Sequence, residues 1–383
     1  RGADLMSEVA ALAPPRLRES QRTGRPITAY FKPSDYCNVG CDHCYLPVEV
    51  RANKSRMTWT TLDNAIQAVR DLVERQRAPG ALILWHGGEP LSLPRDYFEA
   101  VCARVRDRLP AAPQAIQTSL VPYRHDWASL VHTYFDGHIG SSIDFSQRTI
   151  RGSVERYHAL WLDKVAQARA DECTVIPGMV PSAGEIGRGQ EITEWMHAHG
   201  FLAWNIDRYN NYGWDDPARP RNIAHSAFLS EVFDAVMDLA ARDIFMRVNT
   251  VVSALGGVLY NQPGDRWGGS CSRDFIVINP DGSTSACPDK ISFETFGNIN
   301  DGTDAFATSR KRLDWIRLHM TGHRNDDCPT CPFKTFCRSG CPLTPNAPET
   351  EGECSGYNRH LHHVREFADR NPVLVATYLQ ECG

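Results

Sequence analysis

Three cysteines form a C-x3-C-x2-C run at Cys37, Cys41 and Cys44, and seven more lie at Cys271, Cys287, Cys328, Cys331, Cys337, Cys341 and Cys354. Only Cys102, Cys173 and Cys382 stand apart, and Cys382 is placed near a mobile end. Thirteen cysteines is an odd total, and no apolar signal core opens the chain, so metal or redox chemistry accounts for them better than a disulfide framework. Three closely spaced thiolates on one loop can grip three corners of an iron–sulfur cube and leave its fourth iron without a protein ligand. A small chelating molecule can take that iron and receive an electron through it. Zinc is the alternative, because thiolate pairs at short spacing suit a tetrahedral ion. Against zinc, no fourth cysteine lies nearby, and His43 is boxed between two of the thiols.

These residues need a scaffold that brings loops together. Short apolar runs alternate with longer amphipathic ones, which reads as βα units around a parallel sheet. Strands are expected at 28–32, 82–86, 115–119, 138–144, 174–180 and 203–208. Helices are expected at 60–75, where Leu62, Ile66, Val69 and Leu72 recur at helical spacing behind a Thr-rich cap, and at 226–241. Six such units make an α/β partial (β/α)6, TIM-like barrel with its working loops at the C-terminal ends of the strands. Texture changes near 255–270, after which 275–286 reads as a β-hairpin turning at Pro280-Asp281-Gly282. The expected divisions are an N-terminal extension 1–27, a barrel 28–255, a small cysteine-rich α+β extension 256–365 and a tail 366–383.

The 41 Lys and Arg against 46 Asp and Glu give a formal charge of −5, with no dense basic run, so nucleic acid is not the expected partner. Apolar stretches fall far short of the roughly 20 residues that cross a bilayer, so no membrane partner is expected and the location is read as cytoplasmic.

Cys37-x3-Cys41-x2-Cys44 after the first strand, followed one βα unit later by Gly87-Gly88-Glu89-Pro90, resembles the radical S-adenosylmethionine (SAM) superfamily. The resemblance implies that the three thiolates hold a [4Fe-4S] cluster that SAM chelates. It also implies that His43, in a usually aromatic place, and the Gly87–Pro90 segment lie against SAM, the glycines letting backbone come close to the ligand. Weaker matches are Gln117-Thr118-Ser119 and the stretch of Ser141, Ser142 and Asp144, where Phe145 replaces a usual glycine. Arg151 would reach the SAM carboxylate, and Asn205 or Arg208 would touch the ligand. Each of these has a plain alternative as a strand-end cap or surface charge.

The seven downstream cysteines are similar in spacing to the SPASM extension of a subset of these enzymes. That implies two auxiliary [4Fe-4S] clusters, three clusters in all: Cys271, Cys287 and Cys341 on the nearer, with an open or non-cysteine corner, and Cys328, Cys331, Cys337 and Cys354 on the farther. A zinc ribbon remains the alternative for the C-x2-C pair. Asp289, just past Cys287, is a candidate base by position only, since a family relative that oxidises a peptide Ser or Cys has its Asp directly after the matching cysteine, where this chain has Pro288; as an alternative Asp289 is an exposed turn residue. The implied activity is that of an oxidoreductase that cleaves SAM reductively and crosslinks or dehydrogenates a ribosomally made peptide, fed by a low-potential flavodoxin or ferredoxin. Leader recognition would fall to a separate protein or to the barrel. Modification of a small molecule such as an aminoglycoside-type sugar is the second reading, and a non-catalytic iron–sulfur or zinc protein the third.

Overall fold

The computed structural model describes residues 25–39, 41, 44, 46–209, 223–269, 271–287, 295–321, 328–341 and 353–383. The strands are β1 (Ile27–Phe31), β2 (Ala81–Trp85), β3 (Gln114–Thr118), β4 (His138–Ser142), β5 (Thr174–Met179), β6 (Ala203–Ile206), β7 (Arg247–Val248), β8 (Phe275–Ile278), β9 (Ser283–Ser285) and β10 (Gly297–Asn298). Two compact units divide the chain: Gly24–Gly178 with Cys271–Arg317, and Met179–Ser270 with Leu318–Gly383.

In the first unit the strand order is β10-β9-β8-β1-β2-β3-β4-β5, parallel from β8 to β5. Helices α1 (Trp59–Gln76), α2 (Arg95–Arg108), α3 (Ala128–Phe135) and α4 (Val154–Ala170) link β1 through β5. Alternate strand residues Ile27, Ala29, Phe31, Ile83, Trp85 and Ile116 are buried, and Trp85 meets Phe98 of α2 edge to face at 5.6 Å. Each large apolar side chain so covered contributes about 1.5–3 kcal/mol. Helix α1 buries Leu62, Ile66, Val69 and Leu72, starts at Thr58, whose hydroxyl accepts the Thr61 N–H, and stops at left-handed Arg77. The intervening positions Thr28, Tyr30, Leu84, Gln117 and Ser142 are only half-buried.

Strands β1, β2 and β3 begin and end one residue earlier than the sequence suggests. The expected hairpin is present as β8 and β9, with Gly282 at φ +85° in its turn. It also does something the sequence did not announce: β8 lies parallel beside β1, Phe31 opposite Ile278.

In the second unit, β6 and β7 pair in parallel among α5 (Gly189–Ala198), α6 (His225–Ala240), α7 (Asn249–Tyr260), α8 (Asn358–Arg370) and α9 (Pro372–Cys382). Phe233 of α6 meets Phe367 of α8 edge to face at 5.2 Å. The expectation of a mobile end at Cys382 is corrected: that residue is buried at the close of α9, which also buries Val375, Tyr378 and Leu379. The Tyr378 hydroxyl donates to the Met246 carbonyl at 2.9 Å. Among the described residues, no helix is long and apolar enough to cross a membrane.

Candidate functional site

The loop leaving β1 carries the first cysteines. Ser34 donates its hydroxyl to the Ser55 carbonyl at 2.8 Å, Lys32 pairs with Asp35 at 2.7 Å, and the Cys37 N–H donates to the Arg51 carbonyl at 2.9 Å. The segment after β2 clamps this loop, the Gly88 N–H donating to the Ser34 carbonyl at 3.0 Å and the Glu89 N–H to the Tyr36 carbonyl at 2.8 Å. A Cβ on Gly87, at φ +134°, would lie 2.4 Å from the Ser34 oxygen; one on Gly88 would lie 2.1 Å from that of Tyr36. The close approach these glycines permit is therefore to the cysteine loop's own backbone. Glu89 is buried, and its carboxylate accepts from the Leu91 N–H at 3.0 Å, the Ser119 N–H at 2.7 Å and the Thr118 hydroxyl at 2.5 Å, as well as from the Ser119 hydroxyl.

Burial pushes the Cys37 thiol up to about 12, with Glu89 and the other two thiols adding to it against the Val39 N–H. Burial likewise raises Cys41 to about 11, against the pull of Arg148. Such thiols stay protonated until a metal displaces the protons, which fits them as cluster ligands. His86, at the end of β2, is held neutral, its pKa lowered to about 3 by burial and by Lys32, with its Nδ1 buried and without a hydrogen-bond partner.

From β3 and β4, Gln117 donates its side-chain N–H to the Ser142 hydroxyl at 2.9 Å on the half-buried side of the sheet. Asp144 is buried and pairs with Arg148 at 2.8 Å, and Arg148 forms a backbone bridge with Cys41. Burial raises the Asp144 carboxyl although Arg148 opposes it. Arg151 is exposed at φ +52° in a tight turn closed by Ile150 and Ser153. Arg148 was missed in the sequence, where its place four residues after Asp144 was the available signal.

The second unit gathers Cys328, Cys331, Cys337 and Cys354 around a partly open pocket also lined by Ser339, Gly356 and Leu361. Among the described residues, no group of three or more His, Cys, Asp or Glu is placed to hold a single metal ion. A Cβ on Gly356 would sit 2.4 Å from the Cys337 sulfur, and one on Gly340, at φ +66°, would sit 2.0 Å from the Ser355 carbonyl oxygen. The Asn358 N–H points at the Cys354 sulfur, 3.3 Å away, and the Ser339 hydroxyl at that of Cys328, 3.4 Å away. Room, glycine walls and donors aimed at sulfur fit a thiolate-held cluster. The glycines flanking Cys341 and following Cys354-Ser355 were readable in the sequence and were passed over.

Arg208, expected near SAM, donates to the Ser355 carbonyl at 3.1 Å, the Tyr357 hydroxyl at 2.9 Å and the Arg266 carbonyl. Asn205 is half-buried on β6. Cys271 and Cys287 belong to the first unit and Cys341 to the second. His43 and Asp289 lie outside the described residues. Cys102 and Cys173 are buried, as expected.

No protein-family model matches the chain. Two uncharacterised proteins match over short stretches: one from Archaeoglobus fulgidus at 32% identity over 75 residues, 19% of this chain and 16% of that protein, and one from Synechocystis at 26% over 121 residues, 30% and 29% of the two. The chain spans less than a third of either. A longer match, 23% identical, covers 94% of this chain and 91% of a serine-type anaerobic sulfatase-maturating enzyme of Klebsiella aerogenes. Among solved structures, anSMEcpe with bound AdoMet superposes with a TM-score of 0.74 at 17% identity, over 92% of this chain and 95% of that one. The chain has the anSMEcpe fold. The complex of anSMEcpe with AdoMet and the Cp18Cys peptide gives 0.71 at 17% identity, over 92% and 99% of the two chains. Streptococcus suis SuiB bound to its precursor peptide SuiA gives 0.58 at 14%, over 86% and 74%. The α/β class holds, and the likeness to anSMEcpe extends over 92% of this chain.

Proposed function

We propose that the protein is a radical SAM oxidoreductase that oxidatively modifies a ribosomally synthesised peptide, with three [4Fe-4S] clusters on the cysteine sets named above. The observation that carries this reading is the clamp of Gly87, Gly88 and Glu89 on the loop that leads into Cys37. When bound, SAM on the first cluster supplies a 5′-deoxyadenosyl radical able to take a hydrogen atom from the substrate.

This chain's residues hold that chemistry in place. Cys37, Cys41 and Cys44 would hold the cluster. Glu89, fixed by donors from β3, sets the height of the Gly87–Glu89 backbone, and the buried Arg148 and Asp144 pair fixes the loop at Cys41. Buried His86 is held neutral beside Lys32, so it adds no positive charge at the end of β2. A peptide substrate is favoured by the peptide complexes of anSMEcpe and SuiB.

The test is anaerobic reconstitution followed by iron analysis, expected to find about twelve irons per chain, and by reductive SAM cleavage that Cys41→Ala abolishes. Incubation with candidate precursor peptides should then give a mass change in one of them. A preparation holding only zinc, or lacking SAM cleavage, overturns the reading.

A further inference from the structure

Resting on the reading of Cys328, Cys331, Cys337 and Cys354 as a cluster site, we infer that Arg208 and Ser339 raise the reduction potential of that cluster and so make it easier to reduce. Each acts on a different wall of the pocket.

Arg208 lies at the exit of β6 and reaches the loop just after Cys354. Its guanidinium donates to the Ser355 carbonyl and the Tyr357 hydroxyl and lies over the Tyr357 ring, 4.9 Å from the centroid. Tyr357 is buried and left-handed at φ +57°, a conformation that is strained for a bulky residue and persists where surroundings enforce it. Arg266 packs near the same ring, 5.8 Å from its centroid, and is held by His225 at 2.7 Å and Asp265 at 3.0 Å. The opposing charge is Glu353, whose carboxylate accepts from the Ser226 hydroxyl at 2.6 Å and N–H at 3.2 Å. Asp265 offsets Arg266, which leaves Arg208 as the guanidinium that reaches the loop after Cys354, with Glu353 the carboxylate on that same stretch. A reduced cluster carries one more negative charge than an oxidised one, so a fixed positive charge here favours the reduced form.

Ser339 works on Cys328. Arg338 and Ser339 are both left-handed, at φ +52° and +66°, ahead of Gly340, and the Ser339 carbonyl accepts from the Ser355 hydroxyl at 2.6 Å. This costly run of backbone aims the Ser339 hydroxyl at the Cys328 sulfur. Hydrogen bonds to ligand sulfur disperse the charge gained on reduction and raise the potential.

The experiment uses the full chain carrying Cys37→Ala, Cys41→Ala and Cys44→Ala, which leaves the auxiliary sites alone, in EPR-monitored redox titrations. The second cluster's signal is the one that Cys328→Ala removes. Arg208→Gln and Ser339→Ala should each lower that cluster's midpoint, a tenfold fall in the reduced-to-oxidised ratio corresponding to about 59 mV for one electron. Arg208→Lys, which keeps the charge, should stay near the parent value. An unmoved midpoint in Arg208→Gln and Ser339→Ala, with the signal intact, overturns the inference and leaves the functional reading standing. If Arg208→Gln loses the cluster, Ser339→Ala decides: a lowered midpoint supports the inference and an unmoved one ends it. A parent protein that shows no such signal overturns the functional reading itself.

Discussion

Gly88→Ala puts the clamp to a direct test. The added Cβ would lie 2.1 Å from the Tyr36 oxygen and 2.3 Å from that of Asp35, where ordinary contact begins at 3.4 Å. Both obstacles are backbone, so the two segments must separate by more than 1 Å. That breaks the Gly88 to Ser34 and Glu89 to Tyr36 hydrogen bonds. Two such bonds contribute about 1 kcal/mol each, and leaving their buried groups unpaired costs about 1–3 kcal/mol apiece, so the local cost is roughly 2–6 kcal/mol. Because the loop runs straight into Cys37, the cluster and SAM should suffer before the fold does; a 1 Å misplacement at a reacting centre is worth about 10²-fold in rate. Gly80→Ala is the control, since nothing lies within 4 Å of its Cβ position. Iron analysis and SAM cleavage read the outcome. Gly88→Ala should lose about four irons, one cube, and at least 10²-fold in cleavage, while Gly80→Ala matches the parent. Equal iron and equal cleavage in the two variants would refute the clamp.

Three further outcomes follow from the same geometry. Glu89→Gln places an amide donor against the Ser119 and Thr118 donors and should cost about 2–4 kcal/mol, read as a lower thermal midpoint; an unchanged midpoint would contradict the buried network. Gly356→Ala drives a methyl into the Cys337 sulfur and should remove about four irons while sparing SAM cleavage activity of the first cluster in single turnover, whereas full iron content would count against the pocket as a cluster site. His360 is depressed to about 3, chiefly by burial and then by Arg266 and His363, so the unfolded chain takes up its proton first. Stability from this group is whole above pH 6.5 and is lost as the pH falls toward 3, by about 2 kcal/mol at pH 5. Thermal midpoints at pH 7 and 5 should therefore converge in His360→Gln relative to the parent, and parallel losses in both proteins would exclude the histidine as the cause.

What the sequence made legible is what spacing along the chain can encode. Cysteines three and four residues apart share a loop, and apolar residues at helical or alternating intervals share a face, so the cysteine sets, β1 through β6 and α1 could be read directly. Partners distant in sequence could not. Glu89 finds Thr118 and Ser119 some thirty residues on, β8 pairs with β1 across most of the chain, and Arg208 meets the loop after Cys354. No local period marks any of these.

This division bears on how the strand-end polar residues work. Glu89, Ser119, Asp144 and Arg208 stand where a sequence motif suggests direct contact with a cofactor, yet each is engaged with a buried or half-buried protein partner. Their common effect is to fix the loops that carry cysteines: Glu89 for the loop at Cys37, the Asp144 and Arg148 pair for Cys41, and Arg208 for the backbone beyond Cys354. A cluster ligand must be held to within a few tenths of an ångström for its sulfur to meet iron, and a mobile loop cannot do that unaided. Conservative changes at these four positions should therefore show first in iron content and in cluster spectra, ahead of any change in affinity for SAM, whereas a residue that touches SAM alone would show the reverse order.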